Sequence, residues 1–124
     1  MRILIVSDTH RRDGNLREIL RRMPQVDLLI HCGDIEGSEK LGRCPAYMVA
    51  GNNDYFAQLP REREFLVGEY KVWLTHGHYY GVGMGTERIA EEGRARGVDI
   101  VMFGHTHRPL IEEASEPGEV TLIN

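Results

Sequence analysis

Seven side chains able to hold a metal ion stand at one kind of place in this chain, the polar end of an apolar run: Asp8, His10, Asp34, Asn52, His76, His105 and His107. Side chains two apart on extended backbone project to the same side. Asp8 and His10 are therefore expected to aim at one point beyond the end of their strand, and His105 with His107 to do the same from another. A lone Asp-x-His is more often a capped turn whose polar groups satisfy backbone donors. The argument for metal is the repetition, because five predicted strands end in such residues and five of the six histidines belong to those ends. The sixth, His31, precedes Cys32 inside a strand and reads as structural.

Seven donors exceed the needs of one ion, and a carboxylate such as Asp34 has two oxygens with which to bridge. The expectation is two divalent transition-metal ions. Nitrogen and oxygen donors without thiolate fit Mn, Fe, Ni, Co or Zn better than Ca or Mg, with manganese the first candidate. Two such ions ~3.5–4 Å apart clamp an in-line displacement at phosphorus, so the chemistry predicted is phosphoester hydrolysis by a metal-bound hydroxide. Arg11 and Arg12, just past the first donors, could grip a substrate phosphate. His78 would share the face of His76 on extended chain and is a candidate proton donor to the leaving group.

Positioning these groups requires a mainly parallel sheet. Arg2–Val6 and Asp27–Cys32 read as buried strands, joined by a helix whose stripe is Leu16, Ile19, Leu20 and Met23, with Asp13 or Asn15 as cap. That helix is expected to stop at Pro24, giving a right-handed crossover. Ile35 to Cys44 reads as a solvated loop or short helix, and Pro45–Ala50 as a third strand. Glu64–Val67 and Tyr70–Leu74 form a predicted hairpin through Gly68-Glu69. Gly81-Val82-Gly83-Met84-Gly85 lacks the third position of a dinucleotide fingerprint and reads as a flexible loop beside the site. A helix from Thr86 to Arg96, a strand at Val98–Phe103 and a last hairpin of Pro109–Ile111 with Val120–Ile123 complete the chain.

At 124 residues the chain is expected to be a single domain, 1–124, short for a full α/β sandwich. With 19 acidic against 15 basic residues and a net charge of -4, it has no broad basic face, so no stable nucleic-acid complex is expected. Cys32 and Cys44 are too few for a disulfide framework and read as reduced, semi-buried thiols. No apolar run is long enough to span a membrane, and Arg2 leads straight into a strand, so a cytoplasmic location is expected.

The set Asp8-x-His10, Gly33-Asp34, Gly51-Asn52-Asn53-Asp54, His76-Gly77-His78 and Gly104-His105-Thr106-His107 resembles the calcineurin-like metallophosphoesterases, most of all their small bacterial and archaeal phosphodiesterases. The resemblance implies an α/β fold, a four-layer α/β/β/α sandwich, here short of some C-terminal strands. It implies that Asp8, His10, Asp34 and His107 hold one metal and that Asp34, Asn52, His76 and His105 hold the other. Many members carry a proton-donating His after the ligand Asn. This chain has Asn53 there, an amide that can position a phosphate oxygen but cannot act as an acid. The chain stops at Thr121–Asn124, inside an apparent strand, which leaves an edge to be paired or covered and suggests truncation, a homo-oligomer or both. Two other functions share the fold: a metal-free interaction scaffold, as in a retromer subunit of the family, and a phosphomonoesterase. Every ligand position here holds a competent residue, which favours an enzyme over the scaffold, while the phosphomonoesterase differs only in substrate.

Overall fold

The computed structural model describes residues 1–23, 25–36, 45–54 and 58–124. Strand β1 (Ile3–Val6) leads through helix α1 (Asp13–Arg22) to β2 (Leu28–His31), and β3 (Ala46–Met48) follows. These three make one parallel sheet in the order β1-β2-β3, with Ile5 opposite Ile30 and Ile30 opposite Tyr47. The hairpin β4 (Glu62–Val67) and β5 (Tyr70–Thr75) opens the second sheet. Two short 3₁₀ turns, helix α2 (Glu87–Arg96), β6 (Ile100–Met102), β7 (Ile111–Glu112) and β8 (Thr121–Ile123) complete it in the order β4-β5-β6-β8-β7.

Alternation along the strands divides the apolar residues into three cores. Leu28 and Ile30 of β2 face Val72 and Leu74 of β5 and Met102 of β6, so this core lies between the two sheets. The opposite faces of the same strands point outward. Leu29 packs with Leu16 and Leu20 of α1, and Trp73, Val101 and Leu122 pack with Ile89 of α2. Three cores separate four layers, α1, sheet, sheet and α2, which is the expected sandwich. Trp73, Ile30, Val72, Leu74 and Val101 have no exposed surface, and at roughly 1.5–3 kcal/mol per buried large side chain these residues dominate the stability.

Several details depart from the sequence expectation. The N-cap of α1 is Arg12, whose side chain makes no capping hydrogen bond, and Asp13 already lies within the helix. Backbone bonds set this start instead, Arg12 N–H donating to Thr9 O (2.8 Å) and Arg11 N–H to Ile35 O (2.9 Å). Only part of the α1 stripe is buried, for Leu16 is 3% exposed whereas Ile19 is 40% exposed. The last strand is no edge. β8 lies between β6 and β7, parallel to the first and antiparallel to the second. Pro24, Cys44 and most of the Ile35–Cys44 segment lie outside the described residues.

Candidate metal centre

The polar residues do meet at one end of both sheets, by a local geometry that the sequence reading did not anticipate. Asp8, His10, Asp34, His105 and His107 all have positive φ, between 46° and 73°, so the chain turns left-handed where extended backbone was expected. Gly77 is also left-handed, and His78 begins a 3₁₀ turn instead of continuing β5. Left-handed backbone in a non-glycine residue costs on the order of 1–3 kcal/mol, though Asp and His tolerate it better than most. It persists because the loops are bonded to one another. Asp8 N–H donates to Gly33 O (2.9 Å), His10 N–H to Asp34 O (3.0 Å) and Gly104 N–H to His76 O (3.1 Å).

Two glycines allow this close crossing. A Cβ on Gly51 would fall on the Asp34 carboxylate and backbone, and one on Gly104 would strike Ser7 Oγ. The Gly-Asn and Gly-His pairs in the sequence therefore mark places where one loop passes directly over a candidate ligand from another.

Two groups of side chains result, Asp8 with His10 and His107, and Asp34 with His76 and His105; within each, the donor atoms lie within 4.8 Å of one another. His76 Nδ1 is 2.7 Å from Cys32 O and donates its proton there, which leaves Nε2 as a lone pair. That nitrogen faces Asn52 Oδ1 at 3.0 Å, His105 Nδ1 at 3.3 Å and Asp34 Oδ2 at 3.4 Å. In the other group His10 Nδ1 lies 2.5 Å from Glu36 Oε2, so its Nε2 also presents a lone pair, 3.3 Å from His107 Nε2. Asp8 Oδ2 accepts from Ser7 Oγ–H (2.5 Å) and His105 N–H (3.0 Å). Its Oδ1 is buried without a hydrogen-bond partner, 3.3 Å from His107 Nε2, 3.7 Å from His76 Nε2 and 3.8 Å from His10 Nε2.

Lone pairs and carboxylate oxygens facing inward, with their other atoms satisfied from behind, form a donor set that fits divalent cations. Asp34 lies where the groups adjoin, its Oδ2 3.4 Å from His76 Nε2 and 3.7 Å from His10 Nε2. Burial alone would raise the Asp34 pKa. The backbone and side-chain hydrogen bonds from Asn53 outweigh it, helped by His76 and His10, and hold the carboxyl below its ordinary value.

Asn53 therefore has a partner: its N–H and Nδ2 each donate to Asp34, at 2.9 Å. His78 stands beside the ligands, its ring 5.4 Å from that of His76 and 6.1 Å from that of His105. Burial, then the proximity of His76 and His105, lowers its pKa. Arg11 and Arg12 are exposed, and neither lines the cavity walled by Asn52 and His78. His31 has the structural place expected. Gly33 N–H donates to its Nδ1 (3.1 Å), so its Nε2–H serves Thr9 Oγ1 (3.0 Å).

Sequence reasoning missed two supporting carboxylates. Glu36 orients His10, and Asp54, 8% exposed, accepts from Ile35, Glu36 and Gly51 N–H at 3.2, 2.8 and 2.8 Å, tying the Asp34 loop to the Asn52 loop. The available signal was position: each lies two residues beyond a candidate ligand, Asp34 or Asn52.

The family model for the calcineurin-like phosphoesterase superfamily domain matches residues 1–124. The chain belongs to that superfamily. A probable metallophosphoesterase of Bacillus subtilis is 34% identical over 109 residues, covering 86% of this chain and 64% of that protein. A phosphodiesterase of Methanocaldococcus jannaschii is 30% identical over 148 residues, 96% of this chain and 84% of that protein. This chain thus spans less than two thirds of the length of the Bacillus relative. Among solved structures, a predicted phosphoesterase of Streptococcus pneumoniae aligns with a TM-score of 0.81 at 24% identity, covering 98% of this chain and 70% of that one. Vps29 of Entamoeba histolytica, solved with Zn²⁺, aligns with a TM-score of 0.79 at 24% identity, covering 100% and 73%. At that identity these two likenesses bear on the fold, which they share with this superfamily member. No helix among the described residues is long and apolar enough to cross a membrane.

Proposed function

We propose that this superfamily member is a phosphodiesterase working with two divalent transition-metal ions, manganese first among them. The observation that carries the proposal is Asp8 Oδ1, a buried carboxylate oxygen without a hydrogen-bond partner that faces three imidazole nitrogens. A cation satisfies such a group at far less cost than a buried unpaired charge. Asp8, His10 and His107 would hold one ion, and Asn52, His76 and His105 the other, with Asp34 shared between them. When bound, two such ions lower the pKa of water and offset charge on the entering and departing oxygens of a phosphoester.

The chain's own residues supply orientation. Glu36 and the Cys32 carbonyl fix the tautomers of His10 and His76, and Ser7 holds Asp8. In this reading Asn53 keeps the Asp34 carboxylate ionised and aimed, in addition to the phosphate contact expected of it from the sequence. His78, beside the ligands, is the proposed proton donor to the leaving group. The phosphodiesterase named among the relatives supports a diester substrate over a monoester.

The test is metal analysis together with hydrolysis of bis(p-nitrophenyl) phosphate and p-nitrophenyl phosphate by the Mn-loaded protein and its Asp34→Asn variant. Two ions per chain and a preference for the diester are expected in the parent. The variant should lose metal and at least about a hundredfold in rate, more than the loss typical of a residue that only supports a ligand. Near-parental values in Asp34→Asn would remove it from the bridge. Hydrolysis decides between enzyme and scaffold, since turnover of a phosphoester is what an interaction scaffold would lack. No turnover with Mn or Ni would favour the scaffold.

A further inference from the structure

A cavity of about 500 Å³ opens against the candidate ligand Asn52. Asn52 and His78 line it, together with Leu59, Arg61 and Tyr79. Its size is within the range of small-molecule sites and larger than a phosphate group alone would fill. The last three differ in chemical character. Leu59 is aliphatic, Tyr79 is aromatic and 51% exposed as a residue, and Arg61 carries the positive charge, its guanidinium 5.1 Å from the Tyr79 ring centroid. The His78 ring is 4.1 Å from that of Tyr79 and tilted by 38°.

We propose that Arg61 and Tyr79 form a subsite for the nucleoside carried by a nucleotide-type phosphoester. This rests on the phosphoesterase reading, since it is the phosphate held near Asn52 that brings the nucleoside into the recess. A flat ring with polar edges suits these side chains. Tyr79, half exposed, offers a ring for stacking, and Arg61, its guanidinium close to that ring, offers a planar cation and N–H donors for acceptors on a base or sugar. The two residues come from different places in the chain, Arg61 from just before β4 and Tyr79 from the turn after β5. Both side chains are largely exposed, so their replacement leaves the cores intact.

The experiment compares binding of thymidine 5′-monophosphate and of inorganic phosphate to the Mn-loaded protein, by calorimetry, in the parent and in Arg61→Ala and Tyr79→Ala. The parent should bind the nucleotide roughly tenfold more tightly than phosphate, the scale of one base stacked on an aromatic ring. Each variant should lose most of that advantage while keeping its affinity for phosphate and its melting temperature. Equal binding of nucleotide and phosphate by the parent overturns the proposal, as does an undiminished advantage in both variants. Hydrolysis of ethyl p-nitrophenyl phosphate by the same samples tests the phosphoesterase reading separately. Its failure would sink that reading while the binding comparison still decides the subsite.

Discussion

At the scale of single residues, the site is a problem in proton bookkeeping. His76 and His10 each give their Nδ1 proton to a fixed acceptor, Cys32 O and Glu36, and so must present Nε2 inward. A histidine without such an anchor is free to choose its tautomer. His78 is of that kind: its Nδ1 is buried without a partner in a 3₁₀ turn one glycine beyond His76. If it delivers a proton to the leaving group, the benefit grows as that group becomes more basic, up to the ~10²–10⁴-fold typical of general acids. His78→Ala should therefore lose much more rate on an alkyl diester than on a nitrophenyl diester, with metal content unchanged. Equal losses on the two substrates would leave His78 as a residue that orients its neighbours.

At the scale of elements, α2 and the β4–β5 hairpin are joined by a polar network above a buried tryptophan. Arg96 lies 4.3 Å over the Trp73 ring and pairs with Glu62 (2.9 Å) and Glu92 (3.1 Å), while Tyr80 Oη–H donates to Glu62 at 2.5 Å. Burial, then the bond and charge of Glu62, pushes the Tyr80 pKa up to about 12 from an ordinary 10. Between those values the unfolded chain has released the proton and the folded one retains it. Stability contributed by the neutral phenol is thus fully present below pH 10 and is lost as pH rises toward 12. Tyr80→Phe should flatten this decline, which urea unfolding at pH 9 and pH 11 would measure. An unchanged slope would place the alkaline loss elsewhere.

At the scale of the whole molecule, the candidate ligands come from loops of both sheets, so bound metal would link layers otherwise held by the inter-sheet core. A ligand that binds only the folded chain stabilises it by about 2.7 kcal/mol at a free concentration one hundred times its Kd. Adding Mn to metal-free protein is expected to raise the melting temperature by several degrees. The paired His105→Ala and His107→Ala variant should keep its fold yet lose this response, because both residues lie beyond the end of β6 and outside the three cores. A parent whose melting temperature ignores Mn, Ni and Zn would count against a metal centre.

The sequence by itself marked the buried strands and the candidate residues at their ends. The apolar runs Leu28–Ile30 and Val72–Leu74 are local features that read as strands, whereas the division of their alternate residues between the inter-sheet core and the outer ones came with the structure. The placement of Asp8, Asp34, Asn52, His76 and His105 after apolar runs was equally local. Only the tertiary structure decided how these residues converge. Left-handed backbone at Asp8, His10, His105 and His107 is unfavourable for each residue alone and is maintained by hydrogen bonds from loops up to 97 residues away, as between His105 N–H and Asp8. For the same reason α1 starts without a capping bond from the Arg12 side chain, and the roles of Glu36 and Asp54 were hidden: each follows from a partner that folding brings near, which no local pattern encodes.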